Sequence, residues 1–249
     1  MPAVHLPDYL PYLLLILGGL LAWEIYDIQV RSGRLKALGF INRSGFRFFL
    51  HITPEDSATC PTCREASGMA YLPSIVAAGK YRPVAKTCTN PAGCRCVMVG
   101  LYGAWVQAER VRAWLKRNSG RGRLSAEQIE ALLEGARAGR AGATVIDRLA
   151  LCLMEATRAQ SKDPQAAMER YRLLVDQADD ERDQALVVPS YLRLSELLES
   201  GGRKADALRV VEQFFSVYGD KQQRPHGPSD AQFEAMNLRR TRLQRVVVG

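Results

Sequence analysis

The chain has 249 residues, 47% of them hydrophobic and 24% charged, and a formal charge of +8. That composition excludes a disordered chain and suffices for one or two compact domains. The basic excess lies wholly within residues 31–150, because residues 1–30 hold no Lys or Arg and residues 151–249 are balanced.

The first predicted element is an apolar helix. DYLPYLLLILGGLLAWEIYDI is uncharged from Tyr9 to Trp23, and continuing it to Ile28 gives roughly 30 Å, about one hydrocarbon thickness. Residues 1–30 are therefore expected to be a transmembrane anchor. The absence of basic residues before Arg31, and of a small-residue cleavage site in AWEIYD, argues against a cleaved signal. Tyr9, Tyr12, Trp23 and Tyr26 suit interfacial aromatic belts. Arg31, Arg34, Lys36, Arg43 and Arg47 follow the span, so the positive-inside rule predicts a single-pass inner-membrane protein. Its N-terminus would lie outside and everything after residue 30 in the cytoplasm, with the basic flank against the lipid bilayer.

Residues 31–102 read as a basic juxtamembrane segment and a Cys-rich knuckle. Phe46, Phe48, Leu50 and Ile52 alternate as in a strand, after a turn at NRSG. The polar loop TPEDSAT leads into CPTC at Cys60 and Cys63. MAYLPSIVAAGKYRPVAK is interrupted by Pro73, Gly79 and Pro83, which predicts loop with one short element. The second cysteine segment, CTNPAGCRC, supplies Cys88, Cys94 and Cys96.

Five of the six cysteines thus fall in two short segments. Thiolates at C-x-x-C spacing reach one ion together, and a second pair from a distant loop completes a tetrahedron. A reducing cytoplasm disfavours structural disulfides, so the metal-ligand candidates are Cys60, Cys63, Cys88, Cys94 and Cys96. Zinc is the first expectation; an iron–sulfur cluster is the alternative, and disulfides remain if the topology is inverted. A thioredoxin-like dithiol is not expected, because CPTC does not join a strand and helix of a βαβ pattern. His51, alternating with apolar neighbours, reads as solvent-facing or packed, and Cys152 among Leu149, Leu151, Leu153 and Met154 reads as a small apolar group.

Residues 103–143 read as amphipathic helices and linkers: Trp105, Ala108, Val111, Trp114 and Leu115 form one stripe, SGRGRL is a linker, and Ser125 to Gln128 has capping-box spacing. In residues 144–249 five helices are predicted, at 145–160, 164–178, 183–200, 203–218 and 230–245, with Asp163-Pro164 as a start signal and Gly219 as a stop. Arg110, Arg112, Lys116, Arg117, Arg121, Arg123, Arg137 and Arg140 read as a solvated basic face, and nucleic acid is not expected.

The segment YLRLSELLESGGRKADALRVVEQFFSVYGD resembles a tetratricopeptide repeat. Tyr191, Leu194, Ser195 and Leu198 match the packing positions of its first helix, Gly202 the tight turn, and Ala207, Val211 and Phe214 the second helix. Leu151, Met154, Ala167, Tyr171 and Leu174 fit a fainter copy. The resemblance implies a stacked helical surface that binds peptides or partner helices. Residues 50–99 are similar to the C-terminal knuckle of phage Mu F-like minor head proteins, through Cys60, Cys63, Gly68, Pro91, Cys94, Arg95 and Cys96. Asn90 stands where that family has histidine, and one residue is inserted before Cys94.

The expected fold class is mainly α: a single transmembrane helix, a small Cys-rich metal-binding module with short β-strands, and a C-terminal antiparallel helical-repeat domain. No catalytic constellation is found. The expected function is a membrane-anchored scaffold or assembly subunit binding protein partners, with a structural zinc knuckle; an iron–sulfur redox subunit and a phage-head-like protein are the alternatives.

Overall fold

The computed structural model describes residues 15–26, 45–57, 59–80, 88–89, 94–138, 142–177, 184–219, 228 and 230–247. The first helix, α1, is described over residues 15–26, and its Leu15, Leu20 and Trp23 are exposed. No helix among the described residues is long and apolar enough to cross a membrane. This corrects the expected transmembrane anchor, and with it the single-pass inner-membrane placement and the cytoplasmic topology drawn from it. The flanks of the expected span, residues 1–14 and 27–30, lie outside the described residues.

The alternating Phe48, Leu50 and Ile52 form β1 (Phe48–Ile52), with these side chains facing the main core. Phe49, on the opposite face, is buried in a second, smaller cluster with Tyr71 and Val76. β1 is flanked by β2 (Met69–Tyr71) and β3 (Val97–Leu101), and β2 pairs with β4 (Arg121–Arg123). The sheet is antiparallel in the order β3-β1-β2-β4, with register pairs Leu50–Ala70 and Leu50–Val99. Two short helices, α2 (Pro61–Ala66) and α3 (Pro73–Ala77), each begin on a proline at their first turn.

The expected linker SGRGRL contains β4. RGR offers no apolar alternation, and its place is fixed from outside: a Cβ on Gly122 would sit 2.1 Å from Trp114 Cη2, so only glycine lets the strand pass beneath that ring. Trp114 is half-buried as this cover, whereas Ala108, Val111 and Leu115 of α4 (Val106–Arg117) face the core. The predicted capping box forms at α5 (Ala126–Arg137): Gln128 N donates to Ser125 Oγ at 3.2 Å and Ser125 N to Gln128 Oε1 at 2.8 Å.

The helical region follows as α6 (Val145–Ala159), α7 (Pro164–Asp176), α8 (Gln184–Ser200), α9 (Lys204–Tyr218) and α10 (Asp230–Val247). Each packs on its sequence neighbour. Asp163 caps α7, accepting from Ala166 N at 2.9 Å ahead of Pro164. Asp147 in the first turn of α6 is fully buried and takes three donors: Thr144 N at 2.8 Å, Thr144 Oγ1 at 2.7 Å and, across to the end of β3, Tyr102 N at 2.6 Å.

A main hydrophobic core spans the sheet and the helices. It runs from Phe48, Val99 and Leu101 on the sheet through Trp105 and Leu133 into α6, then along Tyr171, Tyr191 and Phe214 to Met236 and Leu243. The residues aligned on the repeat pattern, Tyr191, Leu194, Ser195, Leu198, Ala207, Val211 and Phe214, are all buried, which any helical hairpin requires of its facing stripes.

Candidate metal centre

The first cysteine pair is placed by α2. Cys60 is its N-cap residue, Pro61 opens the helix, and Cys63 N points at Cys60 Sγ, 3.4 Å away. This is the local form of C-x-x-C in which an amide faces a sulfur and both sulfurs lie on one side. The turn after α2 is fixed to the sheet by Gly68, whose N donates to His51 O at 2.9 Å and whose O accepts from Leu124 N at 2.9 Å. Gly68 has φ +75°, and a Cβ there would lie 3.0 Å from Leu124 O, so glycine is required on both counts. The second segment is placed by β3, which Cys94 and Cys96 directly precede.

All five predicted cysteines come together. Cys60 Sγ lies 3.8 Å and Cys63 Sγ 3.6 Å from Cys88 Sγ, and Cys63 Sγ lies 3.8 Å from Cys94 Sγ. The sulfurs form two sets, Cys60–Cys63–Cys88 and Cys63–Cys94–Cys96, each mutually within 4.8 Å. A metal–sulfur distance of about 2.3 Å puts the sulfurs of a tetrahedron about 3.8 Å apart, so the cluster can bind a metal ion. A disulfide would need about 2.05 Å, and the cysteines are free thiols. Cys60 and Cys63 are buried and the other three half-buried; Cys60, Cys63, Cys88 and Cys96 line a void of about 10 Å³ together with Pro54, Thr59 and Arg95.

Crowding splits the thiols electrostatically. The Cys63 backbone N–H, above all, draws the Cys60 thiol down to about 6, and the Cys96 thiol draws Cys94 down to about 5. Burial pushes Cys63 up, and Cys94 beside it pushes Cys96 up. Some sulfurs are thus poised as thiolates, the form that ligates metal, while their neighbours carry protons that a cation would displace.

The cluster is tied down by charged groups that the sequence did not mark as supports of the cysteines. Arg95, between Cys94 and Cys96, forms a two-point clamp on Asp56, four residues before Cys60, at 2.6 and 2.7 Å, and both side chains are only 15% exposed. Burial raises the Asp56 carboxyl, but Arg95 and the Thr59 hydroxyl, which donates at 2.9 Å, bring it below the usual range. Arg193 of α8 donates to Cys94 O at 2.5 Å and pairs with Glu196. Glu55 pairs with Lys162 at 2.6 Å and Arg158 at 3.3 Å, and its pKa is lowered, chiefly by Lys162. Arg158 also reaches Glu130 at 3.2 Å, which Arg137 joins to Glu155 and Arg170 around a cavity of about 260 Å³. Arg95 had a signal in its position between two ligand candidates; Arg193 had none.

His51 is packed, not solvent-facing: 8% exposed, bonded to the Ala66 backbone, lowered in pKa by burial, and outside both sulfur sets. Cys152 is half-buried on α6, its thiol 3.8 Å from Arg170 O and raised to about 11 by burial. Asn90 and Pro91, which entered the Mu F-like comparison, lie outside the described residues. No family model matches the chain, and no curated protein or solved structure matches it, so both resemblances stand on residue pattern alone.

Proposed function

We propose that the chain is a non-catalytic scaffold in which a structural metal ion staples two loops to the sheet, and the helical array carries protein partners. One observation supports this above the others: five thiols from segments some thirty residues apart converge beside charged ties that run into α6 and α8. An ion there would lock the loops to the array, whereas a catalytic zinc keeps a position open for water. Zinc is the ion we assign, because each sulfur set offers three thiolates near the separations of its tetrahedron and a further cysteine of the cluster can move in as the fourth. The partner surface we assign to the array's last helix, where Met236 and Leu243 pack inward while Leu238 is 66% exposed.

Elemental analysis and a visible spectrum of the purified chain test the metal. About one zinc per chain in a colourless protein is the expected result. A brown protein with iron and sulfide in stoichiometric amounts would replace the structural zinc by an iron–sulfur centre. For the surface, Leu238→Glu should abolish a reproducible, cross-linked partner without lowering the melting temperature; retention of that partner would move the interface elsewhere.

A further inference from the structure

We propose that the same thiolate cluster takes two monovalent copper ions, Cu(I), side by side, with the Cys63 sulfur bridging them. This rests on the reading that the cluster holds metal and concerns its capacity: one ion as zinc, two as Cu(I).

Five sulfurs are one more than a single tetrahedral ion uses. They are arranged as two triads that share Cys63, and among the described residues no four of them close to within 4.8 Å of one another. Each half therefore offers three sulfurs. Zinc would complete such a set with a fourth ligand, but a monovalent d10 ion is satisfied by three soft donors. Neither triad includes a histidine or carboxylate. Asp56 is committed to Arg95 and Thr59, and the His51 ring is buried against the Ala66 backbone. Among the described residues both sets are all-thiolate, and such sets suit thiophilic ions, Cu(I) as well as zinc.

Cys63 is suited to the bridge. It is the most buried of the five, at 2% exposure, and lies 3.6 Å from Cys88 on one side and 3.8 Å from Cys94 on the other. A thiolate sulfur has lone pairs enough for two metals, and the sharing halves the number of sulfurs that separate triads would need at that vertex. Binding is a ligand exchange with no change of oxidation state: each Cu(I) leaves its chelator, and the thiol protons are released to buffer.

The test uses the full chain, reduced and metal-free, titrated anaerobically with Cu(I) against a chromophoric Cu(I) chelator and separately with zinc. The expected result is two equivalents of Cu(I) and one of zinc. X-ray absorption of the copper form should show three sulfur neighbours per copper and a copper–copper vector. Cys63→Ser should lose that vector, and Cys152→Ser, outside the cluster, should keep it. Saturation at one Cu(I), or two coppers without the vector, overturns the proposal and leaves the zinc reading standing. Uptake of neither metal overturns both. If Cys63→Ser does not fold, the stoichiometry and vector of the unaltered chain decide alone.

Discussion

The clamp between Asp56 and Arg95 gives the sharpest handle on how the metal centre is built. It joins the loop before Cys60 to the residue between Cys94 and Cys96, so it ties the two cysteine segments to each other independently of any sulfur contact. Asp56→Ala removes both hydrogen bonds and leaves the Arg95 guanidinium mostly buried without its partner. Breaking a fully buried pair costs about 3–5 kcal/mol, and the 15% exposure on each side lowers this to about 2–3 kcal/mol. Part of that falls on metal binding, since the ion must then order the second segment itself. Loss of an outer-shell partner costs about 10–100-fold in metal affinity, or about 1.4–2.8 kcal/mol.

Chelator competition for zinc and thermal melts on Asp56→Ala, Arg95→Ala and the double variant make the assay. Each single variant should bind zinc at least about tenfold more weakly. The double variant should be no worse than either, because the second substitution removes the charge that the first left stranded. Zinc affinity within threefold of the unaltered chain in both single variants, or losses that add within about 0.5 kcal/mol, would refute the clamp as an organiser of the site.

Acid should weaken the same contact. The folded pKa of Asp56 is depressed, so its contribution to stability is complete above the unfolded value of about 3.9 and is lost as pH falls through the folded value; chemical denaturation between pH 6 and pH 3 should show a loss that shrinks in Asp56→Asn. Gly122→Ala drives a methyl into the Trp114 ring and should cost about 1–3 kcal/mol, read as a lower melting temperature with a changed near-ultraviolet spectrum; an unchanged melt would show that β4 does not lie beneath Trp114. Asp147→Ala strands three donors, one of them Tyr102 N at the end of β3, and should destabilise by about 2–4 kcal/mol. Asp147→Asn, which keeps an acceptor, should recover part of that loss in urea unfolding; no recovery would count against the hydrogen bonds as the cause.

Much of the helical region was legible because its signals are local. The Asp163-Pro164 start, the Ser125–Gln128 box and the apolar stripes of α6 to α9 each arise within a few residues of where they act. The sheet was legible only at β1. β3 follows the cysteines directly, and β4 carries no apolar residue, so both exist through partners distant in sequence: β3 along β1, and β4 along β2 under Trp114. The apolar N-terminal run pointed to a span by its hydropathy, its terminal aromatics and the basic flank, yet no helix among the described residues is long and apolar enough to cross a membrane. At the candidate site the cysteines announced themselves by spacing, but the tie to α8 could not be read, because Arg193 lies 99 residues from the carbonyl it holds.

That tie changes what an ion here would do. A knuckle with its own short core would fold and unfold alone, and its metal would be of concern to its own few residues. In this chain Cys94 and Cys96 lead straight into β3, whose Val97, Val99 and Leu101 belong to the same core as α6 and α8. Glu55, on the other loop, is bonded to the end of α6 and the turn after it. Loosening the cluster therefore removes an anchor from β3, an edge strand of the sheet, and two charged ties from the array. The order of the first helices of the array then depends on the thiolates, while α9 and α10, packed on each other through Phe214, Phe215 and Phe233, stand furthest from that influence. An ion at the cysteines would act as a graded stiffener of the array's near end, and the packing of α9 on α10 at the far end would change least.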